Sequence, residues 1–128
     1  MLILGRKPEI SMKLIDYPAE IAEKQRQLLR IEQHIRRLQE IVNGLTAEID
    51  TAIAFDSDLK NDAQRKAKRL ELMSTAEYRK AVANLLMAQD ERAEIEIDTN
   101  LLRNQFSVLK LQLREAIAAR ELQMLDAA

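Results

Sequence analysis

The chain has 128 residues, of which 47% are hydrophobic, 32% are charged and only 3% are aromatic. This balance is too apolar for a disordered tail and too charged for a membrane protein. Two glycines, two prolines and many Leu, Ala, Glu and Arg residues favour long helices over sheets. Twenty basic against twenty-one acidic residues leave a net charge of −1, so no whole-chain field points to nucleic acid or an anionic membrane.

The absence of cysteine excludes disulfides, thiolate nucleophiles and cysteine metal sites. The apolar residues 1–4 are followed at once by Gly-Arg-Lys-Pro, so the chain has neither a signal-peptide core nor an apolar run long enough to span a bilayer. We therefore predict a cytoplasmic protein with no membrane partner. Its expected organisation is an N-terminal arm (1–17) followed by a single helical hairpin domain (18–128).

A heptad pattern predicts the first helix, from about Pro18 to Phe55. Proline suits the first turn of a helix, because its missing amide hydrogen is unpaired there in any case. Apart from the polar Lys24, the positions in alternating steps of three and four are apolar: Ile21, Leu28, Ile31, Ile35, Leu38, Val42, Leu45, Ile49 and Ala52.

Two breaks are predicted after this helix. Asp56-Ser57-Asp58 interrupts the pattern with good capping residues, and a second helical region runs from about Leu59 to the C-terminus. Ser74-Thr75-Ala76-Glu77 matches a capping box and predicts a break near Ser74. The chain therefore reverses at Asp56–Asp58 or at Ser74.

The two reversals predict different molecules. The earlier one places Leu45 opposite Arg69 and leaves the chain after about Glu96 beyond the start of the first helix, so a second chain or the N-terminal arm must cover its apolar stripe. The later one lets a single chain cover its own stripe but places like charges together. We favour the earlier reversal and predict an all-α, long antiparallel helical hairpin, a coiled coil that dimerises into a four-helix arrangement. The residues predicted to carry self-association are Leu102, Phe106, Leu109 and Leu113.

Candidates for chemistry are few. His34 is the only histidine and has no ligand partner one turn away, and the run from Asp90 to Asp98 resembles a solvated acidic face more than a metal site. The two glycines, Gly5 and Gly44, cannot form a nucleotide-binding loop. We predict no enzymatic activity, no cofactor, no metal and no small-molecule substrate.

A cluster of basic residues is the better functional lead, because a phosphate backbone could lie on it. Residues 63–88 contain six basic residues and only two acidic ones, Glu71 and Glu77, whereas residues 89–101 carry an acidic excess. Nucleic acid is therefore a candidate partner, beside a protein partner on the helical surface. The predicted phosphate-binding residues are Arg65, Lys66, Lys68, Arg69, Arg79 and Lys80.

The segments LKNDAQRKA (59–67) and LRNQFSVLKL (102–111) resemble short coiled-coil proteins of phage and mobile-element replication and recombination modules, over about residues 55–118. The resemblance implies a helical accessory near DNA transactions and carries over no catalytic residue. We therefore expect a non-enzymatic interaction module serving a DNA-recombination, replication or phage-related complex. The alternative is a purely structural coiled coil with no nucleic-acid role.

Overall fold

The computed structural model describes residues 12–127, which are almost entirely helical and contain no β-strand. A 3₁₀ turn at Leu14–Asp16 precedes three helices: α1 (Tyr17–Ala54), α2 (Asp62–Met73) and α3 (Ala76–Ala127). The predicted all-α class is confirmed. The predicted arm lies outside the described residues except for its last part, residues 12–17.

Helix α1 begins and ends close to where the sequence predicts. Pro18 occupies its first turn, and the backbone amide of Lys13 donates to the Asp16 carboxylate just before it, at 3.2 Å. After Ala54 the helical pattern stops at the predicted aspartates, where the Asp56 carboxylate accepts from the backbone amide of Asp58 at 2.9 Å. This local bond replaces the next helical hydrogen bond, as short polar side chains favour.

The second predicted break also exists, but the predicted capping box is wrong in detail. Ser74 is the C-cap residue of α2, and its hydroxyl donates a hydrogen bond to the Leu70 carbonyl at 2.7 Å. Thr75 caps α3 instead, because its hydroxyl oxygen accepts from the backbone amide of Tyr78. Both Ser and Thr can make such bonds.

The described chain divides into two compact units, each containing part of α1 and part of α3. Unit 1 comprises residues 12–27 and 95–127, and unit 2 comprises residues 28–94.

The core of unit 2 lies between α1 and α3. Val42 packs with Ala81 and Leu85, and all three are buried. A small alanine at such a contact lets two helices approach closely. The half-buried residues around this cluster are Ile35, Leu38, Leu45 and Val82.

Two contacts show that α1 and α3 are antiparallel in unit 2. The Arg92 guanidinium is 2.9 Å from the Glu32 carboxylate, and the Thr46 and Tyr78 hydroxyls are 3.4 Å apart. The step from Glu32 to Thr46 along α1 equals the step from Arg92 back to Tyr78 along α3. The two helices therefore keep one register over this length.

Unit 1 is also built from antiparallel helices. The rings of Tyr17 and Phe106 stack with centroids 5.7 Å apart and planes 13° apart. The Lys24 amine is 3.9 Å from the Asp98 carboxylate. Tyr17, at the start of α1, is buried by this packing.

The register predicted near the turn is wrong. Leu45 was expected opposite Arg69, yet the Arg69 guanidinium pairs with Asp50, and Leu45 lines a groove with Leu72 and Tyr78. The ion pair between Asp50 and Arg69 shows that α2 folds back on α1, so the chain reverses between the two helices, as the earlier option predicts.

The cause of the register error is the length of the return path. From Thr46 to the end of α1 at Ala54 is about 12 Å, whereas from Asp62 to Tyr78 the helical path is about twice as long. A straight helix through residues 62–78 would therefore extend past the end of α1. The break after Met73 lets α2 take a different direction from α3, so that Arg69 reaches Asp50.

The predicted overhang of α3 is correspondingly too long. Tyr17 lies beside Phe106, not beside Glu96, so α3 is partnered for about three turns more than predicted.

Candidate interaction surfaces

Half of the predicted phosphate-binding residues are already in ion pairs. The Arg65 guanidinium is 2.9 Å from the Asp62 carboxylate, and the Lys68 amine is 3.6 Å from that of Glu71. Arg69 pairs with Asp50 across the helices. Each pair keeps substantial solvent exposure, so each contributes little to stability and competes only weakly with a phosphate.

The other three predicted cations, Lys66, Arg79 and Lys80, are exposed and form no ion pair within the described residues. Lys66 lies on α2, whereas Arg79 and Lys80 lie on the first turns of α3. The structure thus distributes the predicted patch over two helices. Three cations remain available for a phosphate without breaking an ion pair.

The residues predicted for self-association are partly covered within the chain. Leu102, Phe106 and Leu109 are half-buried, whereas Leu113 keeps 48% of its surface exposed. The Phe106 ring has Tyr17 on it and the Lys110 amine 4.4 Å from its centroid. Tyr17, the last residue of the predicted arm, therefore supplies part of the cover that the sequence assigned to either the arm or a second chain.

A groove of about 680 Å³ lies between this arm and α3 in unit 1. Met12, Tyr17, Val108 and Leu109 give it apolar walls, and side-chain amides edge it. None of its lining residues is Asp, Glu, His, Lys or Arg. This lining suits contact with apolar side chains.

Two polar pairs flank the contact between α1 and α3, one in each unit. Lys24 and Arg92 occupy positions of the packed heptads and reach Asp98 and Glu32 respectively. Polar residues at such positions fix register and orientation at some cost in stability. Lys24 was evident from the sequence as a polar entry.

The sequence analysis did not find the packed heptad positions of α3 between Tyr78 and Leu102. Small and polar residues hold four of these six positions, so no apolar stripe marks them. The steps of three and four continue without interruption through Ala81, Leu85, Ala88, Arg92, Ile95 and Thr99. Thr99 is 3% exposed, and its hydroxyl donates to the Ile95 carbonyl at 2.7 Å, which is how a polar side chain is accommodated there.

A second stripe, here called the outer stripe, lies on α3 outside its packed positions, and two of its members, Asn104 and Val108, line the groove beside Met12 and Tyr17. Its members also follow alternating steps of four and three: Ile97, Leu101, Asn104, Val108, Leu111, Glu115, Ala118, Leu122 and Leu125. Val108 lies two residues from Phe106 and Leu101 two residues from Thr99, which is about 200° round the helix from the packed positions. The large apolar members are at least half exposed, from Val108 at 50% to Leu125 at 72%.

The end of α3 has no packing partner in the described chain. Every residue from Lys110 to Ala127 is exposed. Besides the outer stripe, Leu113, Ile117 and Met124 line a shallow groove of about 340 Å³ along this end. Apolar side chains on more than one face of a helix indicate burial against other molecules or chains.

Features of other site classes are sparse. His34 is exposed on α1. Over residues 12–127, no group of three or more His, Cys, Asp or Glu side chains is placed to hold a metal ion. Within that range no helix combines the length and the apolar character needed to cross a bilayer.

Comparison of the chain with protein-family models, with curated proteins and with solved structures finds no match.

Proposed function

We propose that this protein is a non-enzymatic interaction module that binds protein through the C-terminal half of α3. The observation that carries the proposal is the exposure of residues 110–127, which include Leu111, Leu122 and Leu125. An isolated helix of this length, about 27 Å, is only marginally stable in water. A binding partner is the ordinary source of the missing stability, because it buries apolar side chains.

The proposed setting is a DNA-recombination, replication or phage-related complex, as the resemblance of residues 55–118 implies. Phosphate contact is a second, separable part of this proposal. Three exposed cations without ion pairs, Lys66, Arg79 and Lys80, support it, and the ion pairs of the other three limit it. A coiled coil that serves only as a scaffold is the rival function.

Site-specific photo-crosslinking tests the proposal. A photoreactive amino acid replaces Leu122 in one variant and Arg37, which is exposed on α1, in a matched control. Each variant is irradiated both as purified protein and in an extract of the source cells. We expect protein adducts at position 122 and few at position 37.

Equal yields at the two positions would contradict the proposal, because exposure alone would then explain the adducts. Adducts at 122 that vanish in a Leu125→Lys background would support it further, since Leu125 lies one turn away on the same stripe.

A further inference from the structure

The order of apolar and polar residues along the outer stripe of α3 indicates which partner binds there. We infer that its occupant is a second copy of this chain, with the two α3 helices antiparallel and residue 108 of one beside residue 111 of the other. This inference rests on the proposed function, because it names the protein that the exposed half of α3 binds.

The register follows from the two polar members of the stripe, Asn104 and Glu115. In an antiparallel coiled coil, each position of one kind in the heptad packs beside a position of the other kind on the partner. Placing Val108 beside Leu111 of the second copy also places Asn104 beside Glu115. Asn104 of each copy then lies beside Glu115 of the other, so the two-fold axis generates two such pairs, and each pair can form a hydrogen bond.

The other layers between residues 97 and 122 are apolar, whereas Leu125 lies beyond them, next to Glu94 of the second copy. Ile97 then meets Leu122, and Leu101 meets Ala118. Sliding one helix by a heptad places Glu115 against Leu111 or Ile97, which buries a carboxylate in an apolar layer. The sequence is therefore self-complementary in a single antiparallel register.

A parallel pairing lacks this match. In register it places Glu115 beside Glu115 of the second copy, and like charges at such a position repel. The flanking positions of the antiparallel register are compatible: Gln105 lies near Gln112, and Ser107 lies near Arg114. No pair of like charges arises there.

The available area suits a stable dimer. Six large side chains of the stripe are 50% to 72% exposed: Ile97, Leu101, Val108, Leu111, Leu122 and Leu125. At about 60 to 120 Å² of apolar area per side chain, they offer on the order of 500 Å² per chain. Residues flanking the stripe over about 38 Å of helix would supply the rest of the roughly 800 Å² per partner of a standard interface.

Disulfide trapping tests the register directly, because the chain has no native cysteine. Ile97→Cys and Leu122→Cys are made in separate full-length chains. The antiparallel register places these two positions side by side between copies but keeps two copies of position 97 about 38 Å apart. We expect a crosslinked dimer only when the two variants are mixed and oxidised.

Crosslinking of each variant with itself would overturn the inference in favour of a parallel pair. Absence of crosslinking in all three samples, with wild-type mass by light scattering at about 50 μM equal to one chain, would overturn it as well. Adducts at position 122 in extract would then still uphold the proposed function with a different protein as partner. If neither the crosslinked dimer nor the adducts at position 122 were found, both the inference and the proposed function would be refuted.

A matched pair of variants at Asn104 gives a second readout. Asn104→Lys faces Glu115 of the partner and should tighten the dimer about five-fold, whereas Asn104→Glu should weaken it by a similar factor. In a parallel pair both substitutions place like charges together and both weaken it. Asn104 is exposed, so circular dichroism should show an unchanged helix content in both variants. Equal weakening by the two variants would refute the antiparallel register.

Discussion

Truncation of Phe106 to alanine tests how unit 1 is held together. A fully buried Phe→Ala change costs about 3 to 5 kcal/mol, and the half-buried Phe106 should lose about half of that. Loss of the stacked contact with Tyr17 adds about 1 kcal/mol. The expected decrease in the free energy of unfolding is therefore about 3 kcal/mol.

A double-mutant cycle with Tyr17→Ala separates the pair from the general loss of packing. Because the two rings stack on each other, removing either one should remove the same contact, and we expect a coupling energy of about 1 kcal/mol. Urea unfolding followed by circular dichroism at 222 nm measures each free energy. Measurements at about 1 μM and about 50 μM separate this effect from self-association.

Ile15→Ala is the control, because Ile15 precedes Tyr17 and is 82% exposed. Its cost should stay within about 0.5 kcal/mol. A cost below about 1 kcal/mol for Phe106→Ala, or a coupling energy within about 0.3 kcal/mol of zero, would show that the arm does not pack on α3 in solution.

Three further predictions concern single contacts. A double-mutant cycle of Glu32→Gln and Arg92→Gln should give a coupling energy of about 0.5 kcal/mol in urea unfolding, because both side chains keep more than a third of their exposure, and 1 M salt should abolish it. Asn61→Ala should cost about 1 kcal/mol by losing the hydrogen bond that the backbone amide of Gln64 donates to the Asn61 side-chain oxygen, whereas Asn61→Asp should keep the cap; hydrogen exchange of the α2 backbone amides checks both. Duplex DNA binding, measured by anisotropy from 50 to 200 mM salt, should weaken about 40-fold if only the three unpaired cations contact phosphate, and over 1,000-fold if all six do; no binding below about 100 μM would exclude the phosphate contact.

The sequence predicted the helices well where local signals agree. The heptads of α1, Pro18 at its start and the aspartates after its end placed its limits within a residue of the structure. Helix formation, caps and amphipathic faces depend on residues a few positions apart, so one sequence contains them. The same reasoning favoured the correct reversal, because Asp56 and Asp58 interrupt the heptads.

The break after Met73 could be proposed from the sequence but not decided. Ser74 and Thr75 are both capping residues, and Ser-x-x-Glu also occurs inside continuous helices. The structure assigns the cap of α3 to Thr75, since the chain must turn there to accommodate the longer return path. A constraint of this kind exists only once α1 and α3 pack together.

The register and the cover of each apolar stripe were decided by tertiary structure alone. An apolar stripe states that a face is buried but not what buries it, and for that reason Phe106 was expected to contact a second chain although Tyr17 covers one face of its ring. The sequence likewise shows that Arg65 and Arg69 are charged, but it does not show which carboxylates they pair with. Arg65 pairs with Asp62 at the start of α2, and Arg69 pairs with Asp50 because α2 folds back on α1. Local signals fix which segments are helical, whereas contacts between distant segments depend on loop lengths and on the packing of many side chains at once.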